Sequence, residues 1–411
     1  MSKDAGLGLW IVGACGGVGC TVALGLAALR RGLAGTQGMV SALRPFGEVG
    51  LADPADIAFG GHEIRTESLL EAVSGLRRRS NVFDDGLVKS CTPDLRRFQR
   101  NIRPGTLCGA SAPIRTMADT AAMPRDRSGW AAVERLAADI REFREKQGLA
   151  CVVVVYLASS ERPLRGSNAF RSPRRLQELL RRRGNSAAPP SAMYALAAVE
   201  AGCPFVNFTP SPGLNLPAVR ERALQRGLPF MGNDGKTGET LVKSALAPMF
   251  AARNLDVLTW FGQNILGNRD GAVLDDPAVR ASKLRSKDKT VAPIVGGTPT
   301  TKVGIEYLPS LDDWKVAWDF VHFRGFLDTK MSMQFVWQGS DSLLAAPLVI
   351  DLARFAEYEF RAGRAGPMRH LACFFKDPID VAERDLFTQW QQLVGHFSGP
   401  RPTSEKPGYG Q

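Results

Sequence analysis

The sequence lacks the segments that mark a secreted or membrane-embedded chain. Residues 1–10 contain no basic segment followed by an apolar core and a small-residue cleavage site, so we expect no signal peptide. No apolar run approaches the roughly 20 residues that cross a bilayer. The seven cysteines are scattered and form no CxxC pair, which argues against a zinc knuckle or a disulfide framework. Together these absences predict a cytoplasmic protein with reduced thiols and no membrane partner.

Nucleic-acid-binding motifs are missing as well, although the chain is basic. The formal net charge is +11, from 52 Lys and Arg against 41 Asp and Glu. The arginine runs at 30–31, 77–79 and 181–183 lie near the ends of helix-like segments, where cations complement the helix dipole. No helix-turn-helix, RNA-binding or zinc-finger pattern accompanies them. We therefore expect no nucleic-acid partner and attribute part of the excess charge to a small anionic substrate.

What the sequence does contain is an alternation of short apolar runs and helical patterns. With 411 residues, 44% of them hydrophobic, it can form two or three domains of roughly 100–200 residues. The pattern predicts four strands and four helices, at 9–12, 56–59, 150–157 and 205–208, and at 21–30, 130–147, 174–183 and 193–201. This alternation is typical of an α/β fold with a doubly wound parallel sheet of the Rossmann type.

The pattern changes after Gly232. A helix near 241–252 is followed by strand-like runs at 256–261, 303–307 and 331–337, and then by a long helix at about 342–361. We predict that residues 232–345 form an inserted α+β domain. Residues 1–231 and 346–411 would form a discontinuous Rossmann-type domain, with the Pro-rich, charged tail after about 399 disordered.

A glycine-rich turn follows the first predicted strand. Gly13, Gly16, Gly17 and Gly19 let the backbone approach a pyrophosphate, and the helix that follows offers its N-terminal N–H groups to the anion. The GxxGGxG spacing, with Val18 before the last glycine, indicates a site for NAD. The alternative is a glycine turn that only packs a strand against a helix.

Two neighbouring features bear on this interpretation. A P-loop ATPase is rejected because Cys15 and Cys20 stand where ParA-type ATPases carry lysines, and nucleotide hydrolysis needs a cation on the phosphates. The acidic ribose contact expected about 20 residues further on is missing between 32 and 44. Its first candidates are Asp53, Asp56 and Glu63.

A second anion site is predicted where the sequence pattern changes, just after Gly232. Asp234, Lys236, Thr237 and Gly238 immediately precede a helix. A glycine turn at a helix start, with a hydroxyl and an ammonium beside it, can hold a phosphate. A simple N-cap formed by Asp234 or Thr237 explains this segment equally well.

Motifs spread along the chain carry a wider resemblance. They lie in order at 53–61, 158–162, 194–207, 264–270, 282–287, 313–315, 340–345 and 374–378. By this order and spacing the chain resembles the inositol-3-phosphate synthase family over nearly its whole length, without the N-terminal extension of the longer members.

The resemblance implies an isomerisation of glucose 6-phosphate to inositol 3-phosphate in three linked parts. C5 is oxidised with NAD as the acceptor, the C6 enolate then attacks the C1 aldehyde, and C5 is finally reduced again. The resemblance also implies a homotetramer assembled through the inserted domain. An enolate and an alkoxide beside a phosphate require several converging cations, and clustered lysines lower one another's pKa.

The family's functional residues carry over to matching positions of this chain. The implied catalytic residues are Lys283, Lys287, Lys315, Lys376 and Asp341. The implied substrate contacts are Lys287, Thr237, Gly238, Asn268 and Lys236. The implied cofactor contacts, besides the glycine turn 13–19, are Glu63, Ser160, Asp234, Asp270, Asp313 and Asp341.

Three departures from the family keep alternatives open. His62 and Glu63 replace a Trp-Asp pair, Val18 lies in a turn where the family has asparagines, and Glu239 stands where members often carry Gln. A related cyclase or a net NAD-dependent oxidoreductase acting on another sugar phosphate is therefore the alternative, and a non-catalytic sensor is a further one. No compact His/Cys/Asp metal site is predicted, and the use of a cation by the enolate stays open.

Overall fold

Short runs of apolar, β-branched residues build the first sheet. The computed structural model describes residues 6–164, 166–184, 188–268, 271 and 290–398. Its strands, in chain order, are β1 Leu7–Val12, β2 Ala58–Glu63, β3 Ile102–Pro104, β4 Cys151–Tyr156, β5 Phe205–Asn207, β6 Pro229–Gly232, β7 Asp256–Leu266, β8 Thr300–Tyr307, β9 Trp314–Arg324, β10 Lys330–Ser340 and β11 Gly366–Pro367. Every residue of β1 and of β4 is buried, as expected for strands covered on both faces.

Helices connect and cover these strands. In chain order they are α1 Gly17–Arg30, α2 Leu69–Ser80, α3 Asp85–Gln99, α4 Ala112–Met117, α5 Gly129–Gln147, α6 Pro173–Arg181, α7 Pro190–Glu200, α8 Pro217–Gln225, α9 Gly238–Ala252, α10 Ala292–Val295, α11 Asp341–Arg361 and α12 Leu386–Ser398. None of the helices within the described ranges is long and apolar enough to cross a membrane.

The first sheet has the strand order β11-β6-β5-β4-β1-β2-β3, and all its pairings are parallel. The order 3-2-1-4-5-6 is that of a dinucleotide-binding doubly wound sheet. The predicted fold class is therefore confirmed, and β11 shows that the chain returns to this sheet after the second one. The domain boundaries at 231/232 and 345/346 stay a prediction, and the tail after 399 lies outside the described residues.

The second predicted strand was placed wrongly. Residues 54–56 form a 3₁₀ turn, and β2 runs through Gly60 and Gly61 to Glu63. A Cβ on Gly61 would lie 2.2 Å from the carbonyl oxygen of Ile11, and one on Gly60 would lie 2.9 Å from the Trp10 ring. The paired glycines thus permit close packing on β1 and do not end the strand.

The second sheet has the order β10-β9-β7-β8, with antiparallel pairs β10–β9 and β9–β7 and a parallel pair β7–β8. Strand β9 was not predicted as a strand. Helix α9 covers one face, where Phe250 packs on Trp260 and Val321. The other face is open: Trp318 is 36% and Val336 66% exposed.

Helix α11 joins the two sheets. It begins at the residue after β10 and packs along α1, where a Cβ on Gly25 would lie 3.9 Å from Ile350. The starts of α1 and α11 therefore lie close to each other, at the edge where the first sheet meets the second.

Candidate active site

A cavity of about 560 Å³ lies where the carboxyl ends of the first sheet face the second sheet. Its volume is in the range of small-molecule sites. It is lined by the glycine turn, the end of β2, the turn before α9, the start of β9, the start of α11 and Lys376. Three helices, α1, α9 and α11, direct their N-termini toward it, and their dipoles favour anions.

The glycine turn forms the nucleotide end of the cavity. Gly13 has a φ of +90°, which favours glycine. A Cβ on Gly19 would lie 2.6 Å from the carbonyl oxygens of Gly13 and Ala14, and one on Gly17 would lie 2.5 Å from Oγ of Ser342. Helix α1 has no side-chain cap, so its first N–H groups are available to a pyrophosphate. This turn fits a dinucleotide.

Glu63 supports the same turn. Its carboxylate accepts from the backbone N–H of Cys15 at 2.8 Å and of Ile64 at 2.9 Å. The guanidinium of Arg65 donates to both oxygens at 3.2 Å. Glu63 lines the cavity at the end of β2, where a ribose contact is expected, but its first structural effect is to hold the glycine turn in place.

The start of α9 forms the predicted phosphate turn. Thr237 is its N-cap residue, without a side-chain capping bond, and Gly238 has a φ of +53°. The Glu239 carboxylate points away from the turn into a buried network, 2.5 Å from Nζ of Lys243 and 2.5 Å from Nδ2 of Asn264. A carboxylate next to an anion site is tolerated here because its charge is paired elsewhere.

The same network extends to β9. Nζ of Lys243 also lies 3.4 Å from Oδ1 of Asp319, which accepts from Nε1 of Trp260 at 2.8 Å. Burial raises the pKa of the Asp319 carboxyl, and the nearby Glu239 raises it further, while Lys243 lowers it. Asn264, the first residue of the family motif at 264–270, is therefore part of the support beneath α9.

Lys315 reaches the cavity from the second sheet. It is buried near the start of β9, and its Nζ lies 3.5 Å from Oδ1 of Asp341, the first residue of α11. Oδ2 of Asp341 accepts from Nδ2 of Asn268 at 3.3 Å. All three residues line the cavity, so the structure brings together three residues that the sequence predicted for the site.

Lys376 reaches the same cavity from the first sheet's side. Its Nζ donates to Oδ1 of Asp234 at 2.9 Å, and both side chains are 5% exposed. The backbone N–H of Lys376 also donates to the carbonyl of Asp234 at 2.7 Å. This double contact fixes an ammonium beside the predicted phosphate turn.

Asp313 holds the start of α11. Its carboxylate accepts from Oγ and N–H of Ser342, at 2.6 and 3.1 Å, and from Oγ of Ser340. Burial raises the pKa of the Asp313 carboxyl above its usual range, while the hydrogen bonds from the serines lower it. The predicted cofactor residue Asp313 thus also caps a helix.

Lys236 departs from its predicted position. Its Nζ donates to Oε1 of Gln389 in α12 at 2.6 Å, and both residues are buried. Burial lowers the pKa of Lys236 to about 8. The side chain points into α12 and does not line the cavity, so the structure does not bring Lys236 together with the other predicted substrate contacts.

The remaining predicted residues divide into two groups. Ser160, Thr237 and Val18 line the cavity, while Asp270, Lys283 and Lys287 lie outside the described residues. The cavity also contains residues that the sequence did not predict, namely Arg65, Arg79, Asp312 and Ser342. The charge alternation at 63–67 was the available sign for Arg65, but nothing local identified Arg79.

A histidine cluster that the sequence did not predict lies near the end of α11. His396 Nε2 lies 2.9 Å and His370 Nε2 3.7 Å from Oε1 of Glu359, and Arg364 donates to both carboxylate oxygens. The two imidazole rings are stacked, 3.7 Å apart with 1° between their planes. Their in-plane lone pairs therefore lie in separate parallel planes and do not converge on one ion.

The strand order, the glycine turn and the lysine-lined cavity define a Rossmann-type dinucleotide-binding protein with a site for a small anion. Residues 7–397 match the NAD-binding family described as myo-inositol-1-phosphate synthase. The chain belongs to this family, and its cofactor is NAD.

Named relatives agree with this assignment. The chain is 32% identical over 410 residues to inositol-3-phosphate synthase 1 of Bacteroides thetaiotaomicron, covering 94% of each. It is 30% identical to inositol-3-phosphate synthase of Trypanosoma brucei brucei, over 76% of this chain and 60% of that protein. The chain thus spans a little over half the length of the trypanosomal relative.

Solved structures show the same fold. Inositol-3-phosphate synthase from Caenorhabditis elegans superimposes with a TM-score of 0.85 at 24% identity, over 96% of this chain and 86% of that one. A myo-inositol-1-phosphate synthase-related protein from Thermotoga maritima gives 0.74 at 22% identity, over 95% and 98%. At these identities the likeness concerns the fold alone.

Proposed function

We propose that the protein is an isomerase that converts D-glucose 6-phosphate to 1D-myo-inositol 3-phosphate. The observation that carries the proposal is the meeting of Lys315 and Lys376 in one cavity with the glycine turn. The two lysines approach from different sheets, and each lies beside its own carboxylate, Asp341 or Asp234. A binding site for NAD alone does not require this pair.

The start of α9 would hold the substrate's phosphate. The N–H groups of its first turn and the hydroxyl of Thr237 face an anion without a competing side-chain cap. Glu239 does not oppose the phosphate because its charge is paired with Lys243. This position leaves the sugar carbons between the phosphate turn and the two cavity lysines.

Bound NAD supplies reversible oxidation and reduction at C5. Lys376, held by Asp234, would stabilise one developing oxyanion, and Lys315, held by Asp341 and near Asn268, would stabilise the other. Preorganised ammonium groups in a pocket that excludes water lower the energy of an enolate and of an alkoxide. For Lys283 and Lys287 the proposed roles rest on the family resemblance.

The residues on the open face of the second sheet support a homotetramer. Trp318 and Val336 lie opposite each other on β9 and β10 and expose apolar surface, which isolated proteins usually cover. We propose that this face forms the contact between protomers. All seven cysteines are free thiols, which supports the proposed cytoplasmic location.

A phosphorus and proton NMR time course tests the proposal. The purified protein is incubated with glucose 6-phosphate and a catalytic amount of NAD, and absorbance reports NADH. We expect an inositol monophosphate to appear while NADH does not accumulate. NADH formed in proportion to the substrate consumed would indicate a net oxidoreductase. Untouched glucose 6-phosphate would contradict the proposed substrate and require a panel of other sugar phosphates.

A further inference from the structure

The indole N–H of Trp337 is buried without an acceptor among the described residues. Nε1 has essentially no contact with solvent and no hydrogen-bond partner. A buried N–H that has lost water and gained no acceptor is costly, so an unpaired one in a folded protein often marks the place of an occupant. The indole N–H is a donor only. Its missing partner must therefore be an acceptor.

The position of Trp337 on the sheet is defined by its pairing. Trp337 lies opposite Ala317 in the β10–β9 ladder, and directly opposed residues share a face. Ala317 is fully buried and Lys315 is also buried on β9, two residues away on the same side. The indole therefore lies on the α9 face, not on the open face that carries Trp318.

Two glycines locate the N–H more closely. A Cβ built on Gly238 would lie 3.5 Å from Nε1 of Trp337, and one built on Gly339 would also lie 3.5 Å away. Gly238 is the first residue of α9, and Gly339 pairs with Lys315. The donor thus lies against the first residue of α9, whose neighbour Thr237 lines the cavity.

A second polar group beside the helix start is also without a partner. Thr240 is 1% exposed, and its Oγ1 has no hydrogen bond within the described chain. Residue 240 lies in the first turn of α9, whose N-cap residue makes no side-chain bond. The first turn of α9 thus carries uncapped N–H groups and an unpaired hydroxyl, and the indole N–H of Trp337 lies against its first residue. Donors of this kind at a helix start favour an anion with several acceptor oxygens.

We propose that the indole N–H of Trp337 donates a hydrogen bond to a phosphate oxygen of the sugar phosphate bound at the start of α9. The identity of the sugar rests on the proposed function, whereas the phosphate contact does not require turnover. The contact would make Trp337 a binding residue of the substrate site that none of the motifs of the chain identified. Met333 and Phe335, on the same face of β10, pack in the second core and hold the strand that carries it.

The variant Trp337→Phe keeps an aromatic ring and removes the donor. Trp130→Phe is the matched control, because its N–H is already satisfied by Glu134 at 2.8 Å on α5, away from the cavity. Calorimetric titration with saturating NAD measures the affinity of two probes, inorganic phosphate and D-glucitol 6-phosphate. We expect Trp337→Phe to weaken both by about tenfold, the scale of one hydrogen bond to a charged group, and Trp130→Phe to change neither.

Equal affinity of wild type and Trp337→Phe for both probes would overturn the proposal. If wild type binds inorganic phosphate but not glucitol 6-phosphate, the proposed substrate is wrong, and the phosphate titration alone still decides the role of Trp337. Thermal denaturation identifies a variant that has failed to fold. In that case the indole ¹⁵N–¹H spectrum of wild type decides: one of the seven tryptophan signals must move downfield on adding phosphate, and seven unmoved signals would refute the contact.

Discussion

The two ends of the cavity are built from different parts of the chain. At the nucleotide end, the turn after β1 presents backbone N–H groups. Gly19 is required there because a Cβ would collide with the backbone carbonyl oxygens of Gly13 and Ala14. At the sugar end, Lys315 and Lys376 present side-chain charges, each beside an aspartate. The nucleotide end consists of backbone whose conformation the fold requires, whereas the sugar end consists of side chains attached to strands and turns of that fold.

This difference predicts how each end responds to substitution. Replacing a side chain at the sugar end should stop the reaction and leave the NAD site intact. Replacing a glycine at the nucleotide end should impair folding and NAD binding together. The open face of the second sheet and the buried Lys236 lie outside both ends of the cavity. Substitutions there should change the assembly of protomers or the pH dependence of stability and leave catalysis nearly unchanged.

The largest effect is expected at Lys376. We expect Lys376→Met to lower kcat by at least about 10³-fold, because a preorganised cation at a developing oxyanion is lost. The Kd for NAD should change by less than about fivefold, because the substitution leaves the glycine turn unchanged. Steady-state kinetics and calorimetry measure both. Lys302→Met, at an exposed position of β8, is the control and should match wild type. A rate above a tenth of wild type would remove Lys376 from the mechanism.

The next effect is expected at Gly19. In Gly19→Ala the new Cβ meets two carbonyl oxygens at 2.6 Å, and the turn must open. We expect a loss of about 2–3 kcal/mol in the free energy of unfolding and NAD binding weakened by more than about tenfold. Urea denaturation and calorimetry are the measurements. Gly25→Ala in the same helix meets nothing closer than 3.9 Å and should stabilise by about 0.5–1 kcal/mol. Similar behaviour of the two variants would contradict this account.

A substitution at Val336 is expected to change the stability of the single protomer little but to weaken the assembly of protomers clearly. Val336→Glu places a charge on the proposed contact face, and desolvating an unpaired charge opposes association. Light scattering should show a lower mass, while the urea midpoint at low protein concentration stays near that of wild type. Leu224→Glu, on α8 and 53% exposed against 66% for Val336, is the control. An unchanged mass for Val336→Glu would place the protomer contact elsewhere.

The smallest effect on activity is expected at Lys236. Its pKa is lowered to about 8 from 10.5 by burial, so the folded state binds the proton less tightly than the unfolded state. Wild type therefore loses stability as the pH falls from 10.5 to 8, a loss that Lys236→Met does not share. The free energy of unfolding of Lys236→Met minus that of wild type should therefore fall as the pH rises from 7 to 10, because only wild type gains stability over this range. Activity should stay within about fivefold of wild type, and a loss as large as that of Lys376→Met would return Lys236 to the substrate site.

Much of the first sheet could be predicted from the sequence because its strands are continuous apolar runs. The run at 150–157 became β4, and the helical pattern at 130–147 became α5 with one residue added at its start. Strand β9 was missed because its alternation of Trp, Lys, Val and Asp resembles neither a buried run nor a polar loop. Its inward Lys315 and Asp319 are buried only because α9 and α11 supply their partners.

The site was predictable where the chemistry lies in a motif and unpredictable where it depends on packing. Lys376 and Lys236 both lie in motifs expected at the site, yet one faces the cavity and the other faces α12. The difference lies in Gln389, which is 153 residues from Lys236 in sequence. Trp337 was missed for the same reason, since nothing near it in sequence marks its indole N–H as unpaired.

The Glu239–Lys243 pair makes the two positions dependent on each other. A glutamate beside a phosphate turn is harmless only while Lys243 and Asn264 hold its carboxylate. Lys243 also lies beside Asp319, so its removal alone would leave two carboxylates without a cation in the protein interior. Removal of the Glu239 charge alone leaves Lys243 paired with Asp319. Position 239 can therefore be exchanged by itself, whereas position 243 cannot be exchanged alone without burying an unpaired charge.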